Sequence, residues 1–174
     1  MPRHAPAAPL VRAAITTPHG TFLAHFTDHG LVRLGFPSQS KREVRSDELS
    51  EKQERWLKLT RAALAQLFAG EKLRDTPPHD ESAGTDFQRA VWHSLRQIQA
   101  GQTRTYSQIA AAIGRPRAVR AVGTACGANP IPLLIPCHRV VAANGLGGFS
   151  GGLAWKKRLL AAEAAALKTR SARR

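Results

Sequence analysis

After Gly84 the chain is almost empty of carboxylates: only Asp86 and Glu163 stand against 14 Lys/Arg in residues 85–174. Residues 1–84 carry 12 Lys/Arg against 10 Asp/Glu, so nearly all of the net charge of +14 belongs to the second half. Setting aside the four cations from Lys168 to Arg174 still leaves +8 on residues 85–167. That balance favours a polyanionic partner over a merely solubilising surface. Cysteine is equally scarce. Cys126 and Cys137 are the only two, too few for a disulfide framework, and they are expected to be reduced thiols. With no Cys-x-x-Cys and no second Cys/His cluster nearby, neither zinc nor another metal is expected. No window approaches 18 uninterrupted apolar residues, and the Ala/Pro-rich start from Met1 to Pro9 has no apolar stretch of the signal-peptide kind. A cytoplasmic protein with no membrane partner is therefore expected. The 174 residues, 43% apolar, can bury one good core or two small modules sharing an interface.

The runs Leu10–Thr16, Thr21–Phe26 and Leu31–Phe36 are β-prone and separated by turn residues, which predicts a small antiparallel meander. Glu48–Phe68 reads as a charged helix with Trp56, Leu57, Leu64, Leu67 and Phe68 on one stripe and Gly70 at its stop. Residues 76–84 have linker composition and coincide with the charge shift, placing a domain boundary there. Thr85 opens a capping box with Gln88, ahead of Phe87, Val91, Leu95 and Ile98 at helical spacing. A second capping box, Thr105 to Gln108, opens a short helix from Tyr106 to Ile113. Gly114-Arg115-Pro116 then breaks the chain before a helix over 117–128. In that helix Val119, Val122 and Cys126 are expected to face the core and Arg117, Arg120 and Thr124 a partner. The pair suits a helix-turn-helix or plain helix packing equally.

The chemistry concentrates in the apolar, proline-punctuated stretch from Asn129 to Val141, which presents Cys137 beside His138 and Arg139. A thiol of pKa about 8.5 needs a base and nearby positive charge to become a nucleophile. Adjacent residues of an extended segment point to opposite faces, so contact between this thiol and imidazole requires a turn or a bridging water. A Cys-His hydrolase and a buried structural cysteine both remain open at this point. The glycine-rich stretch Gly145–Gly152 lacks the Gly-Lys-Ser/Thr ending of a phosphate loop, which excludes nucleotide binding. Beside a nucleophile it can admit a flat substrate, with Ser150 and main-chain N–H groups as donors. A last helix, Leu153–Lys168, carries Glu163, which either pairs with Lys157 or Arg158 at the surface or holds a histidine tautomer.

Taken together, Arg120-Ala121-Val122-Gly123, Asn129-Pro130, Ile135-Pro136-Cys137-His138-Arg139-Val140, Ser150-Gly151-Gly152 and Leu159-Leu160-Ala161-Ala162-Glu163 closely resemble the O6-alkylguanine-DNA alkyltransferases. The resemblance implies an α+β fold. A small antiparallel-sheet, ribonuclease H-like amino-terminal domain would span 1–84, including the linker 76–84. A mainly helical, catalytic DNA-binding domain with a helix-turn-helix would span 85–168, and a basic tail 169–174. It also implies irreversible, single-turnover transfer of a methyl or alkyl group from O6-alkylguanine in double-stranded DNA to Cys137, without a cofactor. The expected partner is double-stranded DNA containing O6-alkylguanine, met by a monomer, with cooperative binding along DNA left open. A non-enzymatic lesion-recognition or regulatory DNA-binding protein is the alternative.

Carried over by motif, His138 would deprotonate Cys137 through a water and Glu163 would orient His138. Tyr106 would help rotate the nucleotide out of the duplex and hydrogen-bond to the departing guanine. Arg120 would enter the stack in its place, and Arg117 would join it at the DNA. Asn129, Val140, Phe149 and Ser150 would form the substrate-binding set, Asn129 tying the recognition helix to the active segment and the Val140 carbonyl and Ser150 reading the guanine edge. Unlike relatives with an amino-terminal zinc site, this chain has no cysteine before Cys126. Unlike the branch that replaces the nucleophile with tryptophan, it keeps Cys137. No cysteine-rich transcription-regulatory module is expected.

Overall fold

The computed structural model describes residues 10–37 and 47–172. The Ala/Pro-rich start through Pro9, and Arg173 and Arg174 of the expected tail, lie outside the described residues. The fold is α+β. Strands β1 (Val11–Thr17), β2 (Gly20–Phe26) and β3 (Leu31–Gly35) form an antiparallel meander in the order β1-β2-β3. Ala13 and Ile15 of β1 and Phe22, Ala24 and Phe26 of β2 are buried at every second position, the signature of a sheet with one face against the core.

Helix α1 (Glu51–Phe68) covers that face with Trp56, Ala63, Leu64 and Leu67. Each large apolar side chain buried in this way contributes about 1.5–3 kcal/mol. The helix begins three residues later than expected, because Ser50 caps it in a reciprocal box with Gln53. It ends at Gly70, as the sequence predicts, with φ +68. A Cβ on Gly70 would lie 2.5 Å from the Ala162 carbonyl oxygen, so the same residue that stops α1 lets it close on the last helix.

The second half contains α2 (Asp86–Arg96), β4 (Arg104–Thr105), α3 (Tyr106–Ala112), α4 (Val119–Gly127), β5 (Val140–Val141) and α5 (Leu153–Ser171). The predicted capping boxes Thr85/Gln88 and Thr105/Gln108 both form. Trp92 Nε1 of α2 donates to the Ala125 carbonyl of α4 at 2.9 Å, joining the two helices at a buried point. Helix α4 is shorter than expected. It starts at Val119, which leaves Arg117 in the preceding turn, and Val119 is 37% exposed. The buried stripe is Val122, Ala125 and Cys126, since at the first residue of a helix the face that Val119 would cover has no turn beneath it. Helix α5 runs to Ser171, so residues 169–171 of the expected tail are helical.

The segment with linker composition is pinned to the sheet. Leu31 N donates to the Pro78 carbonyl at 2.8 Å and Asp80 N donates to the Leu31 carbonyl at 2.9 Å. The next part of β3 reaches across to the other half, where Leu34 N donates to the Pro130 carbonyl at 2.9 Å. The outer edge of the meander is thus hydrogen-bonded to the segment that leads into Cys137. Among the described residues no helix is long and apolar enough to cross a membrane.

Candidate active site

The chain between α4 and α5 brings the reactive groups together by turning sharply twice. Leu133 takes a left-handed backbone, φ 79, uncommon for a residue with a branched side chain. This folds Ile131–Ile135 back on itself, with Ile135 N donating to the Ile131 carbonyl at 2.9 Å. Cys137–Arg139 then form a single 3₁₀ turn. The segment at the thiol is therefore a turn, one of the two arrangements the sequence left open, with all three side chains buried.

Asn129 connects these features. Its Oδ1 accepts from Ile131 N at 3.0 Å. Its Nδ2 donates to the Ile135 carbonyl at 2.8 Å and to Cys137 Sγ at 3.1 Å, which uses both amide hydrogens. Burial pushes the Cys137 thiol above its ordinary pKa, opposed by the Asn129 hydrogen bond, by its own backbone N–H and by the charge of Lys156. The resting group is a thiol, contrary to the simple expectation that neighbouring charge lowers its pKa. Desolvation of a thiolate outweighs one hydrogen bond and one cation.

Behind the thiol, His138 Nε2 lies 2.8 Å from Glu163 Oε1, both side chains sealed from solvent. Burial by itself would raise the Glu163 pKa, but the hydrogen bonds from His138 and Arg139 outweigh it and bring it down to about 2. A carboxylate accepts only, so Nε2 carries the hydrogen and Nδ1 presents a lone pair. That Nδ1 is buried and has no hydrogen-bond partner. Burial holds the imidazole below its ordinary pKa, against the raising effect of Glu163, so it is a neutral base at pH 7.

Glu163 does not take the surface pairing with Lys157 or Arg158. Besides His138 it accepts from Arg139 Nε at 3.0 Å, Arg139 Nη2 at 2.9 Å and Gly101 N at 2.7 Å. Arg139 Nη1 donates to the Ile98 carbonyl at 2.6 Å. The cation next to Cys137 in sequence is thus spent on the carboxylate.

The cation that faces the thiol is Lys156, fully buried on α5. Its Nζ donates to the carbonyls of Val140 at 2.6 Å, Gly148 at 3.1 Å and Leu146. Sequence reading missed this residue. A signal was available, because Lys156, Leu159 and Glu163 stand at i, i+3 and i+7, and all three are buried.

In front of the thiol lies an open cavity of about 180 Å³ lined by Tyr106, Gly123, Cys126, Gly127, Cys137, Gly148, Phe149 and Ser150. The parallel pairing of β4 with β5, Arg104 opposite Val140, delivers Tyr106 to its rim at the start of α3. Gly147, with φ +68, accepts the phenol where a Cβ would lie 2.9 Å from the Tyr106 hydroxyl. Cys126, expected to be plain core, is buried but lines this cavity, and burial pushes its thiol up to about 12. Of the expected site residues, Cys137, Tyr106, Phe149 and Ser150 converge on the cavity, while Asn129, His138, Glu163 and Val140 form its support. Arg120 and Arg117 are exposed outside it. Arg120 is on the helical stripe of Gly123 and Gly127, at i, i+3 and i+7, so it stands beside the cavity mouth. Among the described residues no three His, Cys, Asp or Glu side chains gather as a metal site would require.

The chain is similar to known proteins over most of its length. The family profile of the 6-O-methylguanine DNA methyltransferase, DNA binding domain, matches residues 86–165. A probable methylated-DNA–protein-cysteine methyltransferase of Acanthamoeba polyphaga mimivirus is 42% identical over 77% of this chain and 90% of that protein. The crystal structure of Mycobacterium tuberculosis OGT in complex with DNA superposes with a TM-score of 0.73 at 36% identity, covering 88% of this chain and 92% of that one. With the methylated-DNA–protein-cysteine methyltransferase of Methanosarcina barkeri 43% identical over 86% of this chain and 94% of that protein, the chain belongs to the methylated-DNA–protein-cysteine methyltransferase family.

Proposed function

We propose that this protein repairs alkylated DNA directly, moving the alkyl group from O6-alkylguanine in double-stranded DNA to Cys137 in one irreversible event per molecule. The observation that carries the reading is the buried Cys137 thiol, hydrogen-bonded by Asn129 at the floor of an open cavity and backed by the His138–Glu163 pair. The thiol proton passes through one water to His138 Nδ1, and Glu163 stabilises the imidazolium that results. The thiolate sulfur attacks the alkyl carbon, an S–C bond forms, and the bond from that carbon to O6 breaks. The electron pair stays on the guanine. Tyr106 at the rim donates a hydrogen bond to the guanine as that charge develops.

The alkylated nucleotide must leave the stack to reach a buried thiol, at a cost of about a few kcal/mol that is least for a damaged base. Arg120 fills the gap in the duplex, and Arg117 contacts the backbone. The α3–turn–α4 pair serves as a helix-turn-helix, and the small residues Ala121 and Gly123 permit its close approach to DNA. Ser150, Phe149 and the Val140 carbonyl receive the base. The β1–β3 meander with α1 is a reduced ribonuclease H-like unit over 1–84, joined by 76–84 to the catalytic unit over 85–168. The excess of cations in the second half supplies phosphate affinity that weakens with salt.

The test is a titration of duplex carrying one O6-methylguanine with increasing protein. The reading expects lesion loss to stop at one per protein molecule. Continued turnover would mark a hydrolase, and binding without lesion loss a recognition protein.

A further inference from the structure

The wall of the cavity formed by Phe149 and Ser150 is held from the far half of the molecule. Phe36 directly follows β3, and its ring is only partly buried. One side of the ring meets its own sheet, with Phe22 at a centroid distance of 5.9 Å. Among the described residues its other aromatic partners come from the second half. Phe149 stands edge-on at 5.5 Å and 78°, and Trp155 of α5 lies at 5.4 Å. Gly151 approaches so closely that a Cβ placed on it would be 2.6 Å from the ring carbons. A ring that only filled the core of the meander would be enclosed by the meander. Phe36 points out of it.

The residues it touches are 149 and 151, so Ser150 is bracketed by two contacts to one aromatic ring. Ser150 and Phe149 both line the cavity around Cys137, and Phe149 in turn stands edge-on to His138 at 6.4 Å. Lys156 holds the preceding part of the same loop through the Leu146 and Gly148 carbonyls. The loop therefore has two supports, a cation from α5 and an aromatic ring from the amino-terminal sheet. The ring meets the stretch on either side of Ser150, where the Gly152 N–H to the Phe149 carbonyl and the edge of His138 are its other contacts.

We infer that Phe36 is a positioning residue for the transfer reaction, through which the amino-terminal sheet sets the position of the Phe149–Ser150 wall over Cys137. The inference rests on the alkyl-transfer reading above. It gives the first half of the chain a part in the chemistry without a group that touches DNA.

The experiment is a double-mutant cycle in the full chain with Phe36→Ala, Gly151→Ala and the pair together, with Phe36→Leu as the conservative control. Gly151 does not have a left-handed backbone, so alanine there acts through its methyl group against the ring. Single-turnover transfer is measured at saturating duplex carrying O6-methylguanine, with affinity for undamaged duplex and thermal melting alongside. Displacing a pocket wall by about an ångström costs roughly ten- to a hundredfold in rate. Phe36→Ala is expected to lose at least about tenfold in transfer with duplex affinity unchanged, and Phe36→Leu to recover most of it. Gly151→Ala should be slow alone, yet cost little more once Phe36 is alanine, because the clash has gone. Transfer by Phe36→Ala at the wild-type rate, additive effects in the cycle, or a loss that only follows the unfolded fraction would overturn the inference. If the wild-type protein itself transfers nothing, the alkyl-transfer reading fails, and this one with it.

Discussion

His138 Nε2 and Glu163 Oε1 are 2.8 Å apart with neither side chain open to solvent, and this contact determines which nitrogen of the imidazole keeps its lone pair, the buried Nδ1. Glu163→Gln keeps the shape but removes the charge that stabilises an imidazolium. Transfer should fall by about a hundredfold or more, the usual contribution of a positioned general base. The same change leaves the Arg139 guanidinium buried without its carboxylate, at a cost of about 3–5 kcal/mol. The rate should therefore be measured well below the melting temperature.

The reactive form, thiolate with imidazolium, has the same total protonation as the resting form, thiol with imidazole. Its population does not change with pH while both groups remain in the resting state. Burial lowers the pKa of His138 and raises that of Cys137, which widens that interval on both sides. The single-turnover rate should be flat from below about pH 6.5 to above about pH 8.5, the ordinary values of the two groups, and fall on the acid side as His138 protonates. A rate that climbs tenfold per pH unit through neutrality would instead indicate an exposed thiol titrating alone.

Lys156→Met removes the cation that acts on Cys137 and the donor for three carbonyls. The buried Val140 carbonyl left without a partner costs about 1–3 kcal/mol, so melting should occur at a lower temperature. Beyond that loss, the alkylation of Cys137 by iodoacetamide, followed on its own peptide, should require a higher pH than in the wild type. An unchanged pH midpoint would assign Lys156 to loop support only.

Stability should decline in two stages as pH falls. Burial holds His79 down to about 4. The unfolded chain takes up that proton first, and stability is lost from about pH 6.5 to 4; a shift of this size is worth at most about 3 kcal/mol. Glu163 is depressed to about 2, so its contribution is complete above about pH 4.3 and disappears as pH falls through about 2. His79→Gln should shrink the first stage, which His138 and His25 share because burial lowers both, and leave the second, as read by melting temperature against pH.

For Arg120→Ala the expected result is slow repair of duplex DNA with much less loss toward free O6-benzylguanine, which has no stack to fill. Equal loss on both substrates would discard the proposed role of Arg120 in the duplex.

The features legible in the sequence were those with local grammar. The capping boxes at Thr85 and Thr105, the alternation in β1 and β2, and the stop at Gly70 depend on neighbours within a few residues. Cys137, His138 and Asn129 stand out because they are few and close together. The electrostatics were not legible, because they depend on which charges become buried. Arg139 is two residues from Cys137 in sequence but turns to Glu163, while Lys156, 19 residues beyond Cys137, supplies the charge. No local pattern predicts the left-handed Leu133 or the 3₁₀ turn at Cys137. The turn at Cys137 packs against α2 and α5, and the folded-back segment is tied by Asn129 to Ile131, Ile135 and Cys137. The hold of Phe36 on the loop joins residues more than a hundred positions apart, beyond the reach of any periodicity.

The most direct measurement is intact mass followed by peptide mapping, after incubation with duplex DNA carrying a single O6-methylguanine. The account predicts a gain of one methyl group per protein, located on Cys137, absent in Cys137→Ala and retained in Cys126→Ala. A methyl group on any other residue, or lesion binding with no change in mass, would contradict it.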